Sequence, residues 1–129
     1  MYDLFKNDPH VLLHWLDAFQ LQIHKENEKW WIDKDGKKLE RNKGEMLALI
    51  HSEISECLEG VRKSIPDNHL PQYSMEIVEL ADTIIRIFDY AEGHNLGSLG
   101  PVILNKIMYN RQREDHKKEA REKVNGKKF

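Results

Sequence analysis

Apolar and polar positions along the chain fall into four stretches of helical period, separated by segments that keep none. The first opens at Asn7-Asp8-Pro9, a polar cap followed by proline at the first helical position, and should end near His24 or Lys25. Leu12, Trp15, Leu16, Phe19 and Ile23 share its apolar face. Residues 26–43 show no sustained period. Trp30-Trp31-Ile32 followed by Asp35-Gly36 predicts either a short β-hairpin arm or an ordered loop, and so long a stretch holding two tryptophans points to function. The second helix is predicted from about Gly44 to Lys63, with Leu47, Ile50, Ile54, Cys57 and Val61 in one stripe and Leu58 beside it. Pro66 and Pro71 bracket the next loop. The third helix runs from about Ser74 to Glu92, with Gly93 where a C-terminal cap belongs. Its apolar set (Ile77, Leu80, Ala81, Ile84, Ile85, Phe88 and Ala91) covers roughly half the wheel at ~100° per residue. That width predicts burial on two sides, with Ile84, Ile85 or Phe88 against another subunit. Gly97, Gly100 and Pro101 punctuate the start of a fourth helix, from about Pro101 to Glu122, apolar in its first half and a charge run from Arg111 to Lys123 in its second. The predicted fold is all-α, an antiparallel bundle of four main helices with an irregular Trp-containing arm between the first and second.

Composition narrows the class. A chain of 129 residues has room for one domain, spanning 1–129. Formal net charge is −2 with both signs interspersed, which argues against a nucleic-acid partner. The single cysteine, Cys57, rules out an internal disulfide and reads as a small core residue, and no Cys/His spacing suggests zinc. Met1 to Asn7 carry no basic-then-apolar leader, and no apolar run approaches the ~20 residues of a membrane span. The expected compartment is the cytoplasm, with no membrane partner.

Two carboxylate pairs carry the candidate chemistry. Glu53 and Glu56 lie three apart on the second helix, and Glu79 and Asp82 repeat that spacing on the third. Spacing alone favours a solvated face. On the projected wheels, however, the acids flank the apolar stripes, and Arg86 and Asp89 continue the face of Asp82. Four carboxylates around one point repel strongly unless a cation neutralises them. All-oxygen ligation suits Mg²⁺ or Mn²⁺ rather than zinc. A di-iron bundle would need Glu-x-x-His, and no glutamate here has a histidine three residues on.

The runs His51-Ser52-Glu53-Ile54-Ser55-Glu56-Cys57-Leu58-Glu59-Gly60 and Glu76-Ile77-Val78-Glu79-Leu80-Ala81-Asp82-Thr83-Ile84-Ile85-Arg86 resemble the ExxE and ExxD halves of the MazG-like, all-α nucleoside triphosphate pyrophosphohydrolases. Ser52 stands where that family often opens with a second glutamate. Lys106, Asn110 and Arg111 resemble a Lys-x-x-x-Asn-Arg element that in relatives helps hold the triphosphate, and Gly126-Lys127-Lys128-Phe129 is similar to a basic tail of some members. The likeness covers about residues 44–129. It implies Mg²⁺-dependent hydrolysis of a (deoxy)nucleoside triphosphate to the monophosphate and pyrophosphate, as nucleotide-pool housekeeping. Glu53, Glu56, Glu79 and Asp82 would be metal ligands, with Glu53 or Glu56 activating water. Lys106, Asn110 and Arg111 would bind phosphate. The alternative is a MazG-like nucleotide- and metal-binding protein with little turnover, acting as a sensor or interaction partner. Relatives assemble as homodimers or as dimers of dimers. Trp30 and Trp31 either stack on the base or cap the core, and His51 either lines the same cleft or lies on the surface.

Overall fold

The computed structural model describes residues 4–126, and the basic ending at 127–129 lies outside them. Four substantial helices form: α1 (Pro9–Asn27), α2 (Lys43–Lys63), α3 (Met75–Gly93) and α4 (Leu99–Gln112). The described residues contain no β-strand, only the isolated bridges Ile32–Lys38 and Pro66–Ser74. The fold is all-α with an irregular arm between α1 and α2, as the periodicity predicts. No helix among the described residues is long and apolar enough to cross a membrane.

Local chemistry sets the helix starts. Asn42 and Ser74 cap α2 and α3, their side chains accepting from the backbone N–H of Glu45 and Ile77. Ser98 does the same for α4 through Gly100, so that helix begins two residues before Pro101. Proline then falls in the first turn, where its missing N–H leaves nothing unpaired. The fourth helix also ends ten residues before the predicted Glu122. Arg113 turns to an extended conformation and grips Asp115 with both Nε and Nη2, a local pair that competes with helix geometry. Beyond it come a short 3₁₀ turn, Glu114–His116, and a helical turn, Lys118–Arg121.

The chain divides into two compact units. One comprises the residues up to Asp17 with those from Ser98 onward, the other Ala18–Gly97. In the first, Leu13 and Leu16 pack beside Gly100, whose missing side chain leaves room for them. The second holds α2 and α3 as an antiparallel pair, together with the end of α1 and the arm.

In that pair the buried face differs from the predicted one. The expected stripe of α2 lies outward: Leu47, Ile54, Leu58 and Val61 are exposed, Leu58 at 61%. What α2 buries is Met46, Glu53 and Gly60, spaced by sevens, and what α3 buries includes Glu79, Thr83, Phe88 and Asp89. Gly60 permits the close approach, since a Cβ there would lie 3.0 Å from the Glu76 backbone nitrogen and from Met75. Cys57, predicted as core, is half-buried and donates its thiol to the Glu76 carbonyl across the pair. Of the residues expected against a second subunit, Phe88 is instead buried edge-on against Phe19, while Ile84 and Ile85 remain exposed.

The arm folds back on α3 through one buried carboxylate. Asp33 closes a hairpin-like turn by accepting from the N–H groups of Asp35 and Lys37, and Gly36 supplies a positive φ of 75°. Trp31 is only 2% exposed, and its Nε1 donates to both oxygens of Asp89 at 3.1 and 3.0 Å. The Nδ1 of His24 on α1 lies 2.7 Å from the same carboxylate. Gly93 is the last residue of α3, but its role is not a left-handed cap; that conformation falls on Asn95 (φ 55°). A Cβ on Gly93 would come within 2.2 Å of the Trp31 ring. Gly93→Ala is therefore expected to displace Trp31 and to lower stability by about 1–3 kcal/mol, the usual cost of overpacking, as read by urea unfolding. Unchanged stability would mean that the ring does not need that space.

Candidate functional site

The predicted acids come together where α2 and α3 cross. Glu53, Glu56 and Glu79 each offer a carboxylate oxygen within 4.8 Å of the others. Glu53 and Glu79 are buried, and Glu56 is exposed at the outer edge. Asp82, one turn beyond Glu79, is half-buried and falls outside that close trio, yet it is near enough for Glu53 to act on its charge. The shared helical face thus converges as its spacing suggested, but onto three carboxylates with the fourth beside them.

Electrostatics records the strain of that convergence. Burial, a hydrogen bond shared with Glu53 and the charges of Glu56, Glu53 and Asp82 push the Glu79 carboxyl up to about 7. Burial and then Glu53 also raise Asp82, against the lowering pull of Arg86. Arg86, one turn further along α3, donates from Nε to Glu53 Oε1 at 2.5 Å. Positive charge from the neighbouring helix therefore sits on one of the two buried carboxylates of the cluster. Asp67, in the loop between the two helices, adds negative charge felt by Asp82. Its own carboxyl is held below the usual range, chiefly by the Leu70 N–H, in a turn that also takes in the N–H of His69.

Beside the carboxylates opens a cavity of about 410 Å³. Asp82 and Arg86 line the side nearest the acids. Trp30, Arg41 and Asn27 line the arm side, and Met46, Leu49 and Ile85 give it an apolar wall. Its volume falls within the range typical of small-ligand sites. Asp89 also borders it but is committed to Trp31 and His24.

The remaining sequence candidates fall in different places. Trp30 is exposed and lines the cavity, whereas Trp31 turns inward and caps the core. The core-capping alternative thus describes Trp31 and not Trp30. His51 is exposed on α2 and is not among the residues lining the cavity. Lys106, Asn110 and Arg111 all lie on α4, in the other unit. Lys106 Nζ stands 4.8 Å from the centre of the Tyr109 ring, and the Asn110 Oδ1 is buried with no hydrogen-bond partner among the described residues.

Sequence reasoning missed Arg41 and Asn27 altogether and saw Arg86 only as part of a polar face. Arg41 stands over the Trp31 ring at 5.6 Å while lining the cavity. The only available signal was its position in the arm, which carries no period. Comparison of the chain with protein families, with characterised proteins and with solved structures gives no match in any of the three.

The raised Glu79 carboxyl has a definite consequence for stability. Its folded value of about 7 lies above the ordinary 4.5, so the protonated form is favoured by folding. That contribution is complete below pH 4.5 and is lost as pH rises to about 7. Unfolding of the metal-free protein in urea should show stability falling across this window. Glu79→Gln should flatten the fall, and an identical slope in the variant would assign the titration to another group.

Proposed function

We propose that the protein is a divalent-metal-dependent nucleoside triphosphate pyrophosphohydrolase, cleaving between the α- and β-phosphates to give a monophosphate and pyrophosphate. The observation that carries this reading is the convergence of Glu53, Glu56 and Glu79 within 4.8 Å beside a cavity of about 410 Å³. An all-carboxylate set with two of its members buried is unfavourable by itself and suited to a hard cation, Mg²⁺ or Mn²⁺. The likeness of the two acidic motifs to the MazG-like enzymes supplies the reaction.

Glu53, Glu56, Glu79 and Asp82 would hold the metal, which when bound screens phosphate charge and lowers the pKa of water. Glu56, exposed at the edge of the cluster, is better placed than Glu53 to accept a proton from the attacking water, because Glu53 is enclosed and tied to Arg86. The cavity would take the nucleoside, with Trp30 against the base and the wall of Met46, Leu49 and Ile85 behind it. Phosphate binding by Lys106, Asn110 and Arg111 rests on the resemblance.

Homodimerisation belongs to the same reading. The exposed Ile54, Leu58 and Val61 of α2 and Ile77, Leu80 and Ile84 of α3 form apolar faces that the described residues leave uncovered. Large exposed apolar patches mark association surfaces, and the resemblance to the MazG-like proteins implies dimers or dimers of dimers. Light scattering should give a dimer or a dimer of dimers, and Leu58→Glu should dissociate it. A wild-type monomer at micromolar concentration would remove this part.

Pyrophosphate release from a panel of nucleoside triphosphates with Mg²⁺ tests the activity. Glu56→Ala and Asp82→Ala should each lower kcat/KM at least about 100-fold, the scale of losing a group that acts on the transition state. Full activity in both variants would place the chemistry elsewhere. Metal and triphosphate binding without turnover would favour the sensor alternative.

A further inference from the structure

We infer that Arg86 is an exchangeable counter-ion: it occupies Glu53 while no metal is bound, and turns into the adjoining cavity to meet the triphosphate when a divalent ion takes its place. This rests on the metal-dependent reading above and adds to it a residue that competes with the metal and then serves the substrate.

The placement of Arg86 is what separates it from the other cations near the cavity. It arises from α3 and reaches Glu53 on α2, 33 residues away in sequence, with Nε 2.5 Å from Oε1. It also lines the 410 Å³ cavity beside Asp82. One side chain therefore borders both the carboxylate cluster and the space next to it.

The guanidinium and a divalent ion compete for Glu53 through their like charge. A hard divalent ion binds a carboxylate oxygen at about 2.1 Å. A divalent ion on Glu53 would lie within a few ångströms of the guanidinium now 2.5 Å from Oε1, and the repulsion between the two cations favours the departure of one. The guanidinium is the partner that yields. Its side chain is 43% exposed against 10% for Glu53, so the guanidinium can turn to solvent or to the cavity while the carboxylate cannot. Once released, Arg86 would find Asp82, which also lines the cavity, taken up as a metal ligand. Asp89 is already satisfied by Trp31 and His24. The remaining anion that fits the fork of a guanidinium is a phosphate group of the substrate.

A merely structural Arg86 would weaken every ligand when removed; an exchanging one moves two affinities in opposite directions. Mn²⁺ titration calorimetry without nucleotide is run on the wild type, Arg86→Gln and Arg86→Lys. Arg86→Gln is expected to bind Mn²⁺ about three- to tenfold more tightly than the wild type, because the competing charge is gone. At saturating Mn²⁺, the same variant should bind an α,β-methylene nucleoside triphosphate, which cannot be cleaved, about tenfold more weakly. Arg86→Lys, which keeps the charge but not the fork, should lie between the other two in both titrations. Equal or weaker Mn²⁺ binding by Arg86→Gln would overturn the exchange, as would unchanged affinity for the analogue. If Arg86→Gln does not fold by circular dichroism, Arg86→Lys decides alone: analogue affinity equal to that of the wild type overturns the proposal. No Mn²⁺ binding by the wild type would instead sink the metal-dependent reading itself, a separate outcome visible in the first titration.

Discussion

Carboxylates pressed together between two helices repel one another, and much of the second unit is arranged around that fact. Glu53 and Glu79 are buried where α2 and α3 cross, with Glu56 and Asp82 beside them. Gly60 lets the helices approach closely enough for this to happen. The charge is relieved in two ways, by a proton retained on Glu79 near neutral pH and by the Arg86 guanidinium on Glu53. Placing acids on the inner face also turns the leucines and isoleucines of both helices outward. An arrangement with its charges inside and its apolar faces outside is poor as an isolated hairpin. It becomes favourable when a cation fills the first and another surface covers the second, and the proposed function and assembly supply these.

A second buried carboxylate shapes the space next to the cluster. Asp89 gathers the indole N–H of Trp31 and the ring of His24, tying the arm and the end of α1 to α3. Each donor satisfies an oxygen that would be costly to bury alone. With Trp31 fixed against Gly93, its neighbour Trp30 is directed to the cavity, and Arg41 is stacked over the Trp31 ring. The cavity wall thus depends on a polar anchor made by residues from three separate parts of the chain.

The helices were legible because period, caps and prolines are local signals. The starts of α2 and α3 follow from Asn42 and Ser74, whose side chains bond within three residues. The early end of α4 was not, because the charge run after Arg111 fits a helix wheel as readily as it fits the Arg113–Asp115 pair that ends the helix. Burial was misjudged for the same kind of reason. Apolar periodicity identifies a face that seeks cover, but it cannot say whether the cover comes from the same chain. In α2 it pointed to Ile54 and Val61, whereas the chain buries Met46, Glu53 and Gly60.

By itself, then, the sequence determined the all-α class, the four helices and the placing of Glu53 with Glu56 and Glu79 with Asp82 on single helical faces, because each depends on spacing along a regular backbone. Which carboxylates converge, which tryptophan reaches the cavity and which arginine meets the acids were decided only in three dimensions. Those outcomes depend on contacts between residues far apart along the chain, such as Arg86 with Glu53 at 33 positions and Trp31 with Asp89 at 58, and no local pattern encodes the partner.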